Sequence, residues 1–270
     1  MSIVSSSQTV SSETLTIRPS SISTWLNCPW KWYKHHIEGV PSIPNVKMTA
    51  GTATHKGAEV GYTEKIKTGE LPPVSVMQDA AVEEFQKKLK EEDVIVEADE
   101  DPGKYEKIVV ENISLYQPVM EETRPKAVEK KYRIEFSGYE FVGALEGTAD
   151  IIEDGGIVDI KTTLRKAVPS RYIPQLSAYA MLAEEAGEGK MDRATIHNIV
   201  NGKAVYSLPA ELAKAQTRYL LDILARSVDD VLSGRSLPEI VFRGTPSSNL
   251  CDRRYCKLYD TCPFVKGVGP

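Results

Sequence analysis

Between Leu145 and Thr162 apolar and polar residues alternate twice with a period near two, and Gly155-Gly156 separates the two runs. That pattern predicts two strands joined by a tight turn, in which glycine supplies the positive φ that a two-residue turn demands. A further strand is expected over 127–136, after Pro125, and another over 193–200. Asn201-Gly202 signals a hairpin back into 205–207. Helical spacing is expected over 21–37, re-initiated at Pro29, and over 51–67, 76–92, 105–122 and 175–185. A long amphipathic helix is expected from Pro209 to Leu232, ended by Gly234. Residues 1–17 are rich in Ser and Thr without periodicity and read as a disordered tail. Helices, three strands, a helix, a strand hairpin and a helix, in that order, predict an α/β fold with a central mixed sheet flanked by helices. Residues 18–270 then form a single domain, with a helical subdomain at 68–124 over the face that carries the chemistry.

Composition narrows this picture only modestly. The chain has 270 residues, 41% hydrophobic and 26% charged, with a net charge of −5. No apolar run reaches the roughly 20 residues of a membrane helix, and no basic-then-apolar leader opens the chain. A cytoplasmic protein that does not engage a membrane is the expectation. The acidic balance argues against a surface coated in positive charge, but a local basic track can still meet nucleic acid. Lys130-Lys131-Tyr132-Arg133, Arg165-Lys166 with Arg171, and Arg253-Arg254 are candidate patches. Each, taken alone, also fits an ordinary solvated surface.

The 145–162 hairpin concentrates charge. With an even-numbered loop, opposed residues have numbers that sum to an odd value, so Asp150, Asp159 and Lys161 are expected on one face. Ile151, Val158 and Ile160 point the other way, into a core. The cluster reads equally well as a surface salt bridge of little energetic value or as a site. Two carboxylates would suit Mg²⁺ or Mn²⁺, which lowers the pKa of a bound water and neutralises a scissile phosphate. Lys161 would then stabilise the developing charge. His55 and Glu59 form an i, i+4 pair on one expected helix, and Gln175 and Tyr179 on another. A GxxxxGK[ST] phosphate loop is absent.

The four cysteines are unevenly spread. Cys28 lies near one end, and Cys251, Cys256 and Cys262 near the other. Arithmetic permits two disulfides, but nothing indicates an oxidising compartment. Three clustered thiols and one remote one suit a four-thiolate site, either Zn²⁺ or a [4Fe–4S] cluster. Such a clip would tie the two ends of the chain together.

These pieces, in this order, resemble the RecB-like branch of the PD-(D/E)XK nuclease superfamily. Gly51-x3-His55 is similar to its histidine motif, and Glu129 stands where the first strand often carries a glutamate. Gly147-x2-Asp150, Asp159-Ile160-Lys161 and Gln175-x3-Tyr179 resemble the next three motifs. Cys28 with Cys251, Cys256 and Cys262 resembles the iron–sulfur subgroup, which includes CRISPR-associated RecB-like exonucleases, phage relatives and AddB-type nuclease domains. Four residues separate Cys251 from Cys256, where the family more often has two. The resemblance implies a restriction-endonuclease-like core and a metal-dependent DNA exonuclease acting on single-stranded or end-containing DNA. His55, Asp150, Asp159 and the Ile160 carbonyl would hold the metal and Lys161 would be the catalytic lysine. Gln175 and Tyr179 would contact substrate or support the site, as would Glu59 and Glu129, and the cluster would be structural. Recombination, repair, phage replication or CRISPR adaptation is the implied setting, in a bacterial, archaeal or phage-infected cell. An oligomer, or recombination or CRISPR partner proteins, are the company such a subunit would keep. A non-cleaving DNA-end binding subunit and an endonuclease are the alternatives.

Overall fold

The computed structural model describes residues 14–91, 93–248, 250–253 and 256–265. Residues 1–13 of the expected tail, and Arg254, lie outside these. The elements run β1 (Leu15–Ile17), α1 (Pro19–Asn27), α2 (Pro29–His36), α3 (Val46–Thr68), α4 (Val74–Glu91) and α5 (Pro102–Glu122). They continue with β2 (Ala127–Glu135), β3 (Val142–Glu153), β4 (Gly156–Thr163), α6 (Ile173–Glu185), β5 (Arg193–Val200), β6 (Ala204–Ala210), α7 (Lys214–Leu232) and α8 (Pro238–Val241). A short 3-10 turn, Pro169–Tyr172, leads into α6.

The helix ends follow local chemistry. Pro19 and Pro29 open α1 and α2, where a missing N–H costs nothing, and Cys28 sits extended between them. Asn45 caps α3 by accepting from the Met48 amide at 2.9 Å, and Asp101 caps α5 through the Gly103 amide. Both caps start their helices earlier than apolar spacing alone indicates.

The sheet has six strands and is mixed. β3 pairs antiparallel with β2 along one edge. Its other edge is shared between β1, parallel at residues 142–145, and β4, antiparallel at 151–153. β4 then pairs parallel with β5, and β5 antiparallel with β6. Parallel pairing needs a crossover, which α6 supplies.

Helices cover both faces. One core joins Ile152, Ile157 and Ile196 of the sheet to Leu176 and Leu182 of α6, Leu221 and Leu224 of α7, and Trp30 and Trp32 of α2. The other joins Ile151, Val158, Ile160 and Ile199 to α3, α4 and α5. Ile151, Val158 and Ile160 therefore do enter a core. The helices expected as a 68–124 subdomain share that core with the sheet. A buried chain of polar groups runs through it: Tyr62 Oη meets Tyr116 Oη at 2.8 Å, which meets His197 Nδ1 at 2.7 Å.

Two expectations are corrected. Residues 15–17, expected in a disordered tail, form β1, whose Ile17 is buried against β3. Three residues are too few to show periodicity. Pro209, expected to open the last helix, lies inside β6 opposite Thr195. β6 is the outer strand, where a missing N–H breaks no ladder, and α7 starts at Lys214.

Candidate active site

β3 and β4 part where the charged residues begin. Their pairing runs only from Glu153–Gly156 to Ile151–Val158. Gly155, with φ of 65°, makes the turn, and Gly156 already belongs to β4. Among the described residues, 146–150 of β3 lack a strand partner on that edge. Asp150 fills the split with its side chain: Oδ2 accepts from the Ile160 amide at 2.7 Å. A carboxylate thus replaces a ladder carbonyl, and Asp150 reaches the β4 main chain.

Two further donors converge on Asp150. Glu129 on β2 stands opposite it, between the Val128–Ile151 and Lys130–Ala149 pairs. Its φ of 46° is left-handed, a conformation that costs a non-glycine residue about 1–2 kcal/mol. His55 arrives from α3, with Nδ1 3.7 Å from Asp150 Oδ2. One donor atom from each of His55, Glu129 and Asp150 lies within 4.8 Å of the other two. Burial, then the charges of Asp150 and Glu59, push the Glu129 pKa up to about 7. A nitrogen and two carboxylates gathered this way fit a hard divalent cation, whose charge would offset that repulsion.

Asp159 and Lys161 form the adjoining half. Asp159 is buried, with 2% exposure. Lys161 Nζ donates to its Oδ1 at 2.9 Å, and Gln175 Nε2 donates to the same oxygen at 3.1 Å. Nζ also lies 2.8 Å from Oδ2, but without hydrogen-bond alignment, so that buried oxygen keeps free acceptor capacity. Burial raises the Asp159 pKa to about 6, with Asp150 adding to the rise and Lys161 opposing it. Burial works against charge on Lys161, yet Asp159 and Asp150 outweigh it and its pKa rises. The Tyr172 ring lies 5.5 Å from Nζ, within cation–π range. Tyr172 carried no signal in the sequence, being one aromatic in a turn.

Two motif glycines have physical reasons. A Cβ on Gly51 would meet Thr162 Oγ1 at 2.6 Å, so glycine lets α3, and with it His55, close on β4. A Cβ on Gly147 would meet Pro19 at 2.7 Å and Tyr179 at 2.9 Å. Glycine there admits Tyr179 of α6 beside β3, and burial raises that phenol's pKa.

The cleft above these groups holds about 1020 Å³ and is lined by His55, Glu59, Glu129, Asp150, Ile160 and Lys161, among others. Glu59 is engaged by Lys56 at 2.8 Å. The basic candidates fare unevenly. Lys130 pairs with Glu188, Lys131 and Arg133 pair with Glu146, and Arg253 pairs with Asp260. Those charges are largely neutralised. Arg165 and Lys166 lie on the loop that leaves β4, with Lys166 Nζ 4.7 Å from the Tyr206 ring centroid. Arg171 lies in the 3-10 turn.

A second, smaller cavity lies elsewhere. Cys28, Cys251, Cys256 and Cys262 all line it, with Trp30, Leu258 and Phe264 as apolar walls, around about 110 Å³. All four thiols are free. Burial raises the pKa of Cys251 and Cys262, and neighbouring thiols add to the rise. No three of the described thiols gather within 4.8 Å. Among the described residues, no helix is long and apolar enough to cross a membrane.

The family model of the PD-(D/E)XK nuclease superfamily matches residues 16–263. No curated protein matches the sequence. Among solved structures, one from Eubacterium rectale named a "putative exonuclease" shares 12% identity with a TM-score of 0.54, covering 97% of this chain and 93% of its own. A second, SSO0001, shares 15% identity with a TM-score of 0.43, covering 95% and 90%. At 12% identity the likeness to the Eubacterium rectale structure is one of fold.

Proposed function

Because the chain belongs to the PD-(D/E)XK nuclease superfamily, we propose that it is a metal-dependent deoxyribonuclease trimming DNA from ends, preferentially single-stranded ones. The observation that carries this reading is the convergence of His55, Glu129 and Asp150 donors within 4.8 Å beside the Asp159–Lys161 pair. His55, Glu129 and Asp150 would hold Mg²⁺ or Mn²⁺, with Asp159 and the Ile160 carbonyl at hand. The cation supplies charge neutralisation of the phosphate and a more acidic water.

The protein's own groups do the rest. Lys161, held over Asp159, directs its ammonium toward the cleft and orients the attacking water. Gln175 fixes the Asp159 carboxylate by donating to Oδ1, and Tyr179 packs behind it. Arg165, Lys166 and Arg171 offer cations to a DNA backbone. Recombination, repair, phage replication or CRISPR adaptation fits such an activity.

The thiol cavity belongs to the same reading. Four cysteines around one apolar pocket suit a [4Fe–4S] cluster in a structural role. Zinc is the alternative, but Zn–S bonds of 2.3 Å would draw four thiols to roughly 3.8 Å apart, closer than the grouping here. A brown protein with broad visible absorbance supports the cluster; colourless protein with stoichiometric zinc refutes it.

The deciding experiment digests 5′- and 3′-labelled single- and double-stranded DNA in Mg²⁺ and in Mn²⁺. Stepwise loss of end nucleotides, abolished by Lys161→Ala, is expected. Internal products would make the protein an endonuclease. Binding of ends without cleavage would make it a non-cleaving DNA-end subunit.

A further inference from the structure

The strand that carries Lys161 does not end freely. β4 pairs Lys161 with Asn198 on β5, and β5 pairs Asn198 with Tyr206 on β6. Paired residues share a sheet face, so the three stand in one row. Asn198, in the middle, is fully buried. Its Nδ2 donates to the Lys161 carbonyl at 3.1 Å and to Thr163 Oγ1 at 2.7 Å. Its Oδ1 accepts from the Ala167 amide at 2.7 Å. A main-chain N–H can only donate, which fixes the amide's orientation. Thr163 Oγ1 passes the link on to the Arg165 carbonyl at 2.7 Å.

The segment after β4 is thereby laid back across the row at three points. Ala167 is bound to Asn198, Lys166 lies over Tyr206, and Tyr172 lies over Lys161. Yet Leu164 is 61% exposed, and it lines the cleft. The loop is thus a surface loop with a buried polar anchor. An amide in a sheet interior is costly unless its bonds are made. An apolar side chain would fill the space, but it could not hold both the Lys161 carbonyl and the returning loop.

We propose that Asn198 is a positioning residue for Lys161. Its amide fixes the end of β4 and the return of the basic loop in one register. Lys161 then stays over Asp159 while Arg165 and Lys166 stay on the loop held back across β5 and β6. The inference rests on the nuclease reading of the cleft, and Asn198 acts through the main chain without touching substrate.

Asn198→Asp tests it, since the change is nearly isosteric but removes both donated bonds. Thr163→Val removes one of them outside the core, and decides the matter if Asn198→Asp does not fold. Each variant is compared with wild type in kcat and KM on labelled single-stranded DNA with Mg²⁺, in thermal melting, and in amide hydrogen exchange over 161–168. Below melting, kcat should fall roughly tenfold to a hundredfold in Asn198→Asp and less in Thr163→Val, with faster exchange at Ala167. Wild-type kcat, or a lost kcat with unchanged exchange, overturns the proposal. If wild-type protein cleaves no DNA, the nuclease reading fails instead. Exchange over 161–168 then decides alone: unchanged protection in Asn198→Asp overturns the positioning role.

Discussion

The acidic cleft and the thiol cavity are built from different materials. The cleft draws His55, Glu129 and Asp150 from α3, β2 and β3, elements rooted in the two cores. The thiol cavity draws Cys28 from the junction of α1 and α2, and its other thiols from the segment after α8. In the cleft, a long helix and two strands hold the donors whether or not a ligand is present. Around the cavity, little regular structure holds three of the four. The cleft should therefore tolerate loss of a donor without unfolding, whereas the cavity should not.

The sharpest way to break that contrast is to remove Lys161 or Asp159. Alanine at either should lower cleavage by at least about 10²–10³-fold, while the melting temperature stays near wild type. Collapse of the fold would show that the cleft, too, is structural. Cys28→Ala should do the opposite: melting falls by several degrees or more, while the fraction still folded cleaves normally. An unchanged melting curve would remove Cys28 from any ligand set.

A subtler contrast comes from pH. His197 stands opposite Ile160 in the sheet, and burial lowers its pKa to about 4. In the unfolded chain the imidazole binds its proton near pH 6.5. At this residue the unfolded state therefore binds more protons between those values, and its contribution to stability is lost as pH drops from about 6.5 toward 4. The loss is up to about 3 kcal/mol. Glu129 and Asp159, whose pKa values burial raises to about 7 and about 6, pull the other way over the same range, so the His197 share is read as the difference between wild type and His197→Phe in denaturant titrations at pH 7 and pH 4.5. The smallest effect is expected from Asn45→Ala, which removes the cap of the helix bearing His55 and costs about 1 kcal/mol in the same titration.

How much of this was legible in the sequence depended on distance along the chain. β5 is a short run closed by the Asn201-Gly202 turn signal, and its ends, Arg193 and Val200, lie where the sequence puts them. The hairpin of β3 and β4 was readable because glycine marks its turn. Parity placed Asp150 on one face with Asp159 and Lys161, but the strands part beyond Ile151, and Asp150 reaches β4 through the Ile160 amide. Glu129 read only as support. Its place opposite Asp150 depends on the register of β2 against β3, and the irregular 136–141 connection conceals that register. β1 is three residues paired with a strand more than 120 positions away, a contact no local pattern encodes. Tyr172 gains its role only when the 3-10 turn folds back over Lys161.

The aromatic packing of α2 has a consequence for synthesis. Trp32 and Tyr33 stack on Phe242, and Trp30 meets Phe264 edge-on. Trp32 is fully buried, but its cover is made about 210 residues later. At roughly 5–20 residues per second, a ribosome needs about 10–40 s to deliver Phe242. For that interval the nascent chain carries an open indole surface, the kind that holdase chaperones bind.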